Sequence, residues 1–327
     1  IYRQKPELAA ILVRVADCHI RFGNFEFFHY TNQPKNVERL ANFAIKNYYN
    51  DLSNEPDRYR IFFRRVLTFT AKLISKWQAV GFVHGVMNTD NMTITGTTFD
   101  YGPYGFMDGF NIDYTPNSSD VHRRYSFQKQ AEIGFWNLNK LAETLVPLVG
   151  SDPLQEEIKQ YQPLFNRFYK EEMGRKLGIS ILDADFSRLT QEMFEFLFNH
   201  KLDYTNFFRL LANFPEQTDK SKFDPELHSW LDEYLKLCDR ESISHDKRKK
   251  EMDAVNPKYI LRPHLIQHAL EKALKDFDFS EIKRLRVLLE NPFEDRPDVF
   301  KKYDIDENFY SQETPQEFLG RQTSCSA

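Results

Sequence analysis

The stretch His84-Gly85-Val86-Met87-Asn88-Thr89-Asp90-Asn91-Met92, followed by Phe99-Asp100-Tyr101-Gly102, is the part of this sequence that decides the fold. It is polar and turn-rich, as functional loops commonly are, and it interrupts a chain that otherwise shows helical patterns. Asn91 and Asp100 stand nine residues apart, which predicts a short hairpin over about 92–100 with Gly96 near its tip. Such a hairpin would bring an amide oxygen and a carboxylate oxygen to one metal ion, and Mg²⁺ prefers oxygen ligands.

The same stretch has the spacing of the catalytic loop of phosphate-transferring kinases, HRDxxxxN, with one change. Asn91 follows His84 by seven residues, as in that loop, but the position two residues after the histidine is Val86 instead of aspartate. A carboxylate returns at Asp90, next to Asn91. We therefore predict a kinase-type metal loop whose acid–base group has moved to Asp90. The spacing alone fits an Asx-rich turn and a tight bend equally well, since Asn and Asp favour turns for local reasons.

Most of the remaining sequence has helical periodicity. Apolar residues recur at helical spacing over 36–49 and 56–80. Further helices are predicted, between glycine and proline breaks, over roughly 129–148, 152–175, 188–200, 204–213, 224–238, 263–275 and 279–290. Trp77, Trp136 and Trp230 fall on helical faces and are expected in the core. Branched residues alternate over 9–16, which predicts a strand with Arg14 on its polar face.

Composition limits the classes of protein that this chain can represent. Its 327 residues carry a formal net charge of −4, which argues against nucleic-acid binding through bulk charge. No apolar run reaches the roughly 18 residues of a membrane-spanning helix, so no membrane partner is expected. Three scattered cysteines, Cys18, Cys238 and Cys325, indicate a reducing compartment, and we expect the cytoplasm of a bacterium. The sequence starts at Ile1 and not at Met, which suggests an incomplete reading frame. A mitochondrial targeting segment would then lie outside the given sequence.

The motifs together resemble one protein family. HGVMNTDNM (84–92) and FDYGPYGFMD (99–108) are similar to the signature of the selenoprotein O family, as are VRVADCHIRFGNFE (13–26), QAEIGFWNLNKLAETLVPL (130–148) and NPKYILR (256–262). The similarity runs from about residue 9 to residue 291. It implies a protein-kinase-like fold and the transfer of AMP from ATP to Ser, Thr or Tyr hydroxyl groups of other proteins.

The resemblance also implies roles for individual residues. Asp90 would accept a proton, Asn91 and Asp100 would bind Mg²⁺ (or Mn²⁺), and Asp100 would also contact ATP. Arg14 and Arg21, seven residues apart, match the family arginines that contact the nucleotide. Guanidinium groups suit phosphate oxygens. Without the resemblance, a surface or ion-pair role is the simpler interpretation of both arginines.

The resemblance divides the chain into three expected parts. No glycine-rich loop and no phosphate-facing lysine precede Arg14, so residues 1–30 are expected to be a remnant strand and linker of a nucleotide-binding lobe. Residues 31–291 would form a protein-kinase-like C-terminal lobe, mainly α-helical with a small β hairpin. Residues 292–327 would be an extended or partly mobile tail. Cys325 lies close to where some family members carry selenocysteine, and a free thiol on a flexible tail is an equal alternative.

Three functions remain open from the sequence. The first is a protein adenylyltransferase, expected to act as a monomer on ATP and protein hydroxyl acceptors. The second is a protein or small-molecule phosphotransferase, since the same metal loop would serve transfer of the γ-phosphate. The third is an inactive nucleotide-binding pseudokinase scaffold, since much of the nucleotide site is expected to lie outside this chain.

Overall fold

The structure is a computed structural model that describes residue 11 and residues 13–217 and 219–322. The helices in the first half of this part are α1 (Phe22–Tyr30), α2 (Pro34–Tyr48), α3 (Arg58–Ala79), α4 (Gln130–Val149), α5 (Ser151–Ile158) and α6 (Tyr161–Leu177). Those that follow are α7 (Ala184–His200), α8 (Tyr204–Gln217), α9 (His228–Asp239), α10 (His245–Asp253), α11 (Pro263–Asp276), α12 (Ser280–Glu290), α13 (Pro297–Tyr303) and α14 (Glu307–Ser311). The prediction of a mainly helical fold is confirmed. No helix of the described residues combines the length and the apolar character that crossing a membrane requires.

Two short strands, β1 (Phe82–Val83) and β2 (Gly105–Phe106), form an antiparallel pair. Phe82 lies opposite Phe106, and Val83 lies opposite Gly105. The pair closes the base of the loop from His84 to Tyr104. It therefore brings the two halves of the motif identified in the sequence to one place on the helical scaffold.

The core around this loop is built on α3. Phe62, Leu67 and Ile74 of α3 are fully buried, and the helix packs against α4 and α6. Burying one large apolar side chain stabilises the fold by about 1.5–3 kcal/mol. Two further core clusters follow along the chain: one lies mainly within α6 to α10, and the other within residues 259–310. The helical part thus provides a rigid base beneath the loop.

The predicted strand over 9–16 is wrong for the residues of this stretch that the structure describes. Residues 13–16 have no regular secondary structure, and Ile11, Val13 and Val15 are 96%, 80% and 91% exposed. A strand needs a neighbouring strand for its backbone hydrogen bonds. None of the described residues pairs with this stretch.

The predicted hairpin over 92–100 is reduced to one isolated bridge, between Met92 and Thr98. Thr93 explains why no ladder forms, because its hydroxyl accepts the Thr97 N–H at 3.2 Å and donates to the Thr97 carbonyl at 3.1 Å. Gly96 does lie in the turn, with φ of +66°. The small sheet of the fold is instead the β1–β2 pair at the base of the loop.

Two helical segments differ from the prediction. The single helix predicted over 152–175 is two helices, α5 and α6. Pro163 lies in the first turn of α6, where a backbone N–H has no partner within the helix. In the middle of one continuous helix, the same proline would remove a hydrogen bond and break the helix. The tail expected to be extended contains α13 and α14, and Val299, Ile305 and Tyr310 are buried in the last core cluster.

One of the three tryptophans expected in the core is on the surface. Trp77 and Trp230 are buried, but Trp136 of α4 is 38% exposed. Periodicity places Trp136 on a helix without showing whether another element covers it. Of the cysteines, Cys18 and Cys238 are buried and unbridged, and Cys325 lies outside the described residues.

Candidate active site

His84 anchors the loop that follows β1. The side chain is buried, and burial lowers its pKa, which keeps the imidazole neutral. The neutral ring then donates from Nε2 to the Phe99 carbonyl at 2.9 Å and accepts the Val86 N–H on Nδ1 at 3.4 Å. Its main-chain N–H donates to Gln130 Oε1 of α4 at 3.1 Å. His84 therefore connects the start of the first motif (84–92) to the start of the second (99–108).

Asp100 is the residue after Phe99, whose carbonyl accepts the hydrogen bond from His84. Its φ of +62° is unusual for a residue with a side chain, and the Gly102 N–H donates to the Asp100 carbonyl at 2.8 Å. Arg14 Nη2 lies 2.7 Å from Asp100 Oδ1, and Arg21 Nη2 lies 3.9 Å from Asp100 Oδ2. Both guanidinium groups also lie over the Phe99 ring, at 4.7 and 4.6 Å from its centroid. The structure thus brings Arg14, Arg21 and Asp100 together.

The ion pairs at Asp100 are only partly buried. The exposed fractions of the Arg14, Arg21 and Asp100 side chains are 37%, 29% and 32%. Ion pairs with this much solvent contact stabilise a fold by at most about 1 kcal/mol. The arginines can therefore move from the carboxylate to another anion at little cost in stability.

Asn91 ends a short 3₁₀ turn over Thr89–Asn91. Its side-chain nitrogen donates to the Val86 carbonyl at 2.8 Å, which directs the amide nitrogen towards the loop and leaves Oδ1 as the group that can bind a cation. Among the described residues, no group of three or more His, Cys, Asp or Glu side chains could hold a metal ion. Asn91 and Asp100 supply the oxygen donors that suit Mg²⁺, which commonly completes its shell with substrate phosphate and water. The donor chemistry fits such an ion.

Asp90 lies exposed in the same turn and close to the N-terminal end of α1. Gly23, the second residue of α1, makes this approach possible. A Cβ at Gly23 would lie 2.1 Å from Asp90 Oδ1 and 3.0 Å from Asp90 Cγ. Because Gly23 is helical and has no positive φ, its backbone does not require glycine. Glycine is needed here because the Asp90 carboxylate occupies the space that a side chain at position 23 would fill.

The start of α1 is joined to the loop through the backbone. The Phe22 N–H donates to the Met92 carbonyl at 2.9 Å, and the Ile94 N–H donates to the Ile20 carbonyl at 3.2 Å. Arg21 lies between these two contacts and forms an isolated bridge with Thr93. These contacts connect Arg21 to the segment directly after Asn91 and so join the two sides of the site through the backbone.

The sequence predicted the five site residues but missed those that position them. Gly23 was overlooked, although a glycine inside an aromatic helical stretch could have indicated a close approach. Two asparagines also hold the loop: Asn117 Nδ2 donates to the Gly85 carbonyl at 3.1 Å, and Asn137 Nδ2 of α4 donates to the Met87 carbonyl at 2.9 Å. Asn137 is fully buried, and a polar residue in the middle of a core helix was the available signal. The roles of the five residues stay predictions.

The fold and the site define a mainly helical protein in which two arginines meet the Asp100 carboxylate beside the turn that bears Asn91. The family model of the protein adenylyltransferase SelO matches residues 1–290, so the chain belongs to the SelO family and the resemblance seen in the sequence is confirmed. The protein nucleotidyltransferase YdiU of Vibrio parahaemolyticus serotype O3:K6 (strain RIMD 2210633) is 40% identical over 314 residues. That alignment covers 93% of this chain, which spans 64% of the length of the relative.

Proposed function

We propose that this chain is the helical catalytic part of a protein adenylyltransferase, with a protein-kinase-like C-terminal lobe, that transfers AMP from ATP to Ser, Thr or Tyr hydroxyl groups. The observation that carries the proposal is the convergence of Arg14 and Arg21 on Asp100, beside the loop that bears Asp90 and Asn91. Membership of the SelO family and the nucleotidyltransferase name of the relative support it. The spacing of His84, Asn91 and Asp100 supports the kinase-like lobe.

Arg14 and Arg21 would bind the phosphate groups of ATP. Their planar guanidinium groups suit phosphate oxygens, and leaving Asp100 costs them little because the existing ion pairs are partly exposed. Asp100 and Asn91 would hold Mg²⁺ or Mn²⁺, which would neutralise phosphate charge when bound. Held by both the arginines and the oxygen donors, the polyphosphate would be fixed in one orientation for reaction.

Asp90 would act on the acceptor. The acceptor hydroxyl oxygen forms a bond to the α-phosphorus of ATP, the bond from this phosphorus to the oxygen shared with the β-phosphate breaks, and pyrophosphate leaves. The hydroxyl proton passes to the Asp90 carboxylate, a step that typically contributes about 10²–10⁴-fold to a rate. The exposure of Asp90 supports this role, because an acceptor that belongs to another protein must be able to reach the base.

Two further parts of the proposal concern the compartment and the oligomeric state. Cys18 and Cys238 are buried and unbridged, which suits a reducing compartment such as the cytoplasm. We further propose that the protein acts as a monomer on separate acceptor proteins.

Labelled ATP tests the proposed function. The full-length protein is incubated with Mg²⁺ or Mn²⁺, a mixed protein acceptor and ATP labelled on the α- or the γ-phosphate. We expect α-label, and no γ-label, in the acceptor proteins. Protein-bound γ-label would show a phosphotransferase instead, and ATP binding without either label would show an inactive nucleotide-binding protein.

A further inference from the structure

Trp136 and Arg124 form an exposed pair beside the candidate active site. The Arg124 guanidinium carbon lies 4.8 Å from the centroid of the Trp136 ring and 5.7 Å from that of Tyr125. Both Arg124 and Trp136 are exposed. A guanidinium group over the face of an aromatic ring keeps its N–H donors in its own plane, where they can still bind an anion.

Each member of the pair is fastened to the loop that carries Asp90 and Asn91. Trp136 directly precedes Asn137, whose side chain donates to the Met87 carbonyl at 2.9 Å. The segment that carries Arg124 is held at Asn117, whose side chain donates to the Gly85 carbonyl at 3.1 Å. The two segments that form the Arg124–Trp136 pair are therefore both attached to this loop.

The segment before Arg124 has a fixed shape. Asp120 accepts the Arg124 N–H on Oδ1 and the Tyr125 N–H on Oδ2, both at 2.8 Å. Arg123 has a φ of +51°, a conformation that residues with side chains adopt only when their surroundings impose it. The backbone at Arg124 is thus held in place before any partner binds, which reduces the entropy lost on binding.

Arg124 differs from the neighbouring cations Arg123 and Lys140 because it has no carboxylate partner among the described residues. Within the part of the chain that the structure describes, no carboxylate lies within ion-pair distance of Arg124. Lys140 Nζ lies 5.9 Å from the centroid of the Trp136 ring but is paired with Glu143, and Arg123 is 3.7 Å from Asp113. Arg124 therefore carries a positive charge that an external carboxylate can neutralise.

We propose that the Arg124–Trp136 pair is an acceptor-docking surface, which binds an acidic segment of the polypeptide that is modified. This proposal rests on the proposed function, because it assumes a protein acceptor. A carboxylate of the acceptor would accept hydrogen bonds from Arg124, while an apolar part of the same segment would pack on the exposed edge of Trp136. The site would then prefer hydroxyl residues that have Asp or Glu nearby.

Peptide binding tests the surface without any chemistry. The probes are two fluorescein-labelled peptides with a central serine, one flanked by glutamates and the other by glutamines, and binding to the full-length protein is followed by anisotropy without ATP. We expect the glutamate peptide to bind about tenfold more tightly, which corresponds to one charge-assisted hydrogen bond at a partly exposed site. Arg124→Gln should remove this preference, and Trp136→Leu should weaken binding of both peptides.

Two further variants control for charge and stacking. Arg124→Lys keeps the charge but loses the planar stacked group, so it should retain only part of the preference. Arg167→Gln is the matched control, because Arg167 of α6 is also exposed and lies 4.8 Å from the centroid of an aromatic ring, that of Phe168. It should bind both peptides like the wild type. Equal binding of both peptides by the wild type, or an unchanged preference in Arg124→Gln, would overturn the proposal.

The same peptides separate this proposal from the proposed function. If the glutamate peptide binds through Arg124 but no protein or peptide receives α-label from ATP, the docking surface stands and adenylyl transfer fails. If α-label is transferred equally to both peptides, adenylyl transfer stands and the docking surface fails.

Discussion

Asp90 and Asp100 lie on the same loop, but different features hold them in place. Asp100 is fixed by its backbone, since the Phe99 carbonyl accepts a hydrogen bond from His84 and φ at Asp100 is +62°. Its carboxylate also faces the cations Arg14 and Arg21. The Asp90 carboxylate instead occupies space that a side chain at Gly23 would fill, since a Cβ at Gly23 would lie 2.1 Å from its Oδ1.

Under the proposed function, this difference would separate nucleotide binding at Asp100 from proton transfer at Asp90. A carboxylate that faces two arginines would, under this proposal, help to balance charge on a polyphosphate and a metal ion. Under the same proposal, the exposed Asp90 carboxylate, which has room because Gly23 lacks a side chain, would take the proton from an acceptor that arrives from solvent. We therefore expect substitutions at Asp100 to impair both nucleotide binding and transfer, and substitutions around Asp90 to impair transfer alone.

The largest effect is expected for Asp100→Ala. The variant loses a candidate metal ligand and leaves Arg14 and Arg21 without their carboxylate, so transfer of α-label should fall by at least about 10³-fold and ATP should bind more weakly. Transfer is measured as α-labelled protein, and ATP affinity by calorimetry. Asp185→Ala on the exposed face of α7 is the control and should transfer normally. Wild-type transfer by Asp100→Ala would mean that the active site lies elsewhere.

A smaller effect is expected for Asp90→Ala. Loss of a general base should slow transfer by about 10²–10⁴-fold, while the affinity for ATP stays within about twofold, because Arg14, Arg21 and Asp100 are untouched. Single-turnover transfer and ATP binding, measured on the same preparation, check both parts. An equal loss of ATP binding and transfer would remove the distinction between the two aspartates.

Lys176→Met should change stability without changing transfer. Lys176 is buried, its Nζ donates to Asn256 Oδ1 at 2.7 Å, and burial lowers its pKa to about 7. Between about pH 7 and pH 10 the unfolded chain therefore binds more protons at this residue, so the free energy of unfolding of the wild type should rise with pH, by up to ~1.4 kcal/mol per pH unit.

Urea unfolding of the wild type and Lys176→Met at pH 7, 8 and 9 checks this prediction. The difference in the free energy of unfolding between them should shift in favour of the wild type as pH rises. A difference that does not change with pH would show that Lys176 remains charged in the folded protein.

Much of the helical fold and the position of the candidate site loop could be predicted from the sequence. The pattern over 56–80 predicted α3 because its apolar face is regular, and the spacing of His84, Asn91 and Asp100 identified the loop because its chemistry depends on residue types at fixed separations. Such signals are local. They do not depend on which elements pack together.

Features that depend on tertiary contacts could not be predicted. The segment that forms α1, FGNFEFFHY, has aromatic residues on several faces, so no helical period is visible in it. Gly23 matters only through Asp90, which lies 67 positions further along the chain. Trp136 was assigned to the core because a helical period does not show which face is covered.

The most direct test of this account is a double-mutant cycle between Gly23 and Asp90, because the central claim is that Asp90 takes the proton from a position set by α1. In Gly23→Ala the new methyl group forces the Asp90 carboxylate to turn away, so transfer of α-label should fall by about 10- to 100-fold with an unchanged KM for ATP. The exposed Asp90 side chain can rotate, so Tm should change little. Once Asp90→Ala removes the carboxylate, the nearest Asp90 atom to the new Cβ is its backbone nitrogen at 3.4 Å, and Gly23→Ala should cause no further loss. Wild-type transfer by Gly23→Ala, or an additional loss in the double mutant, would contradict the account.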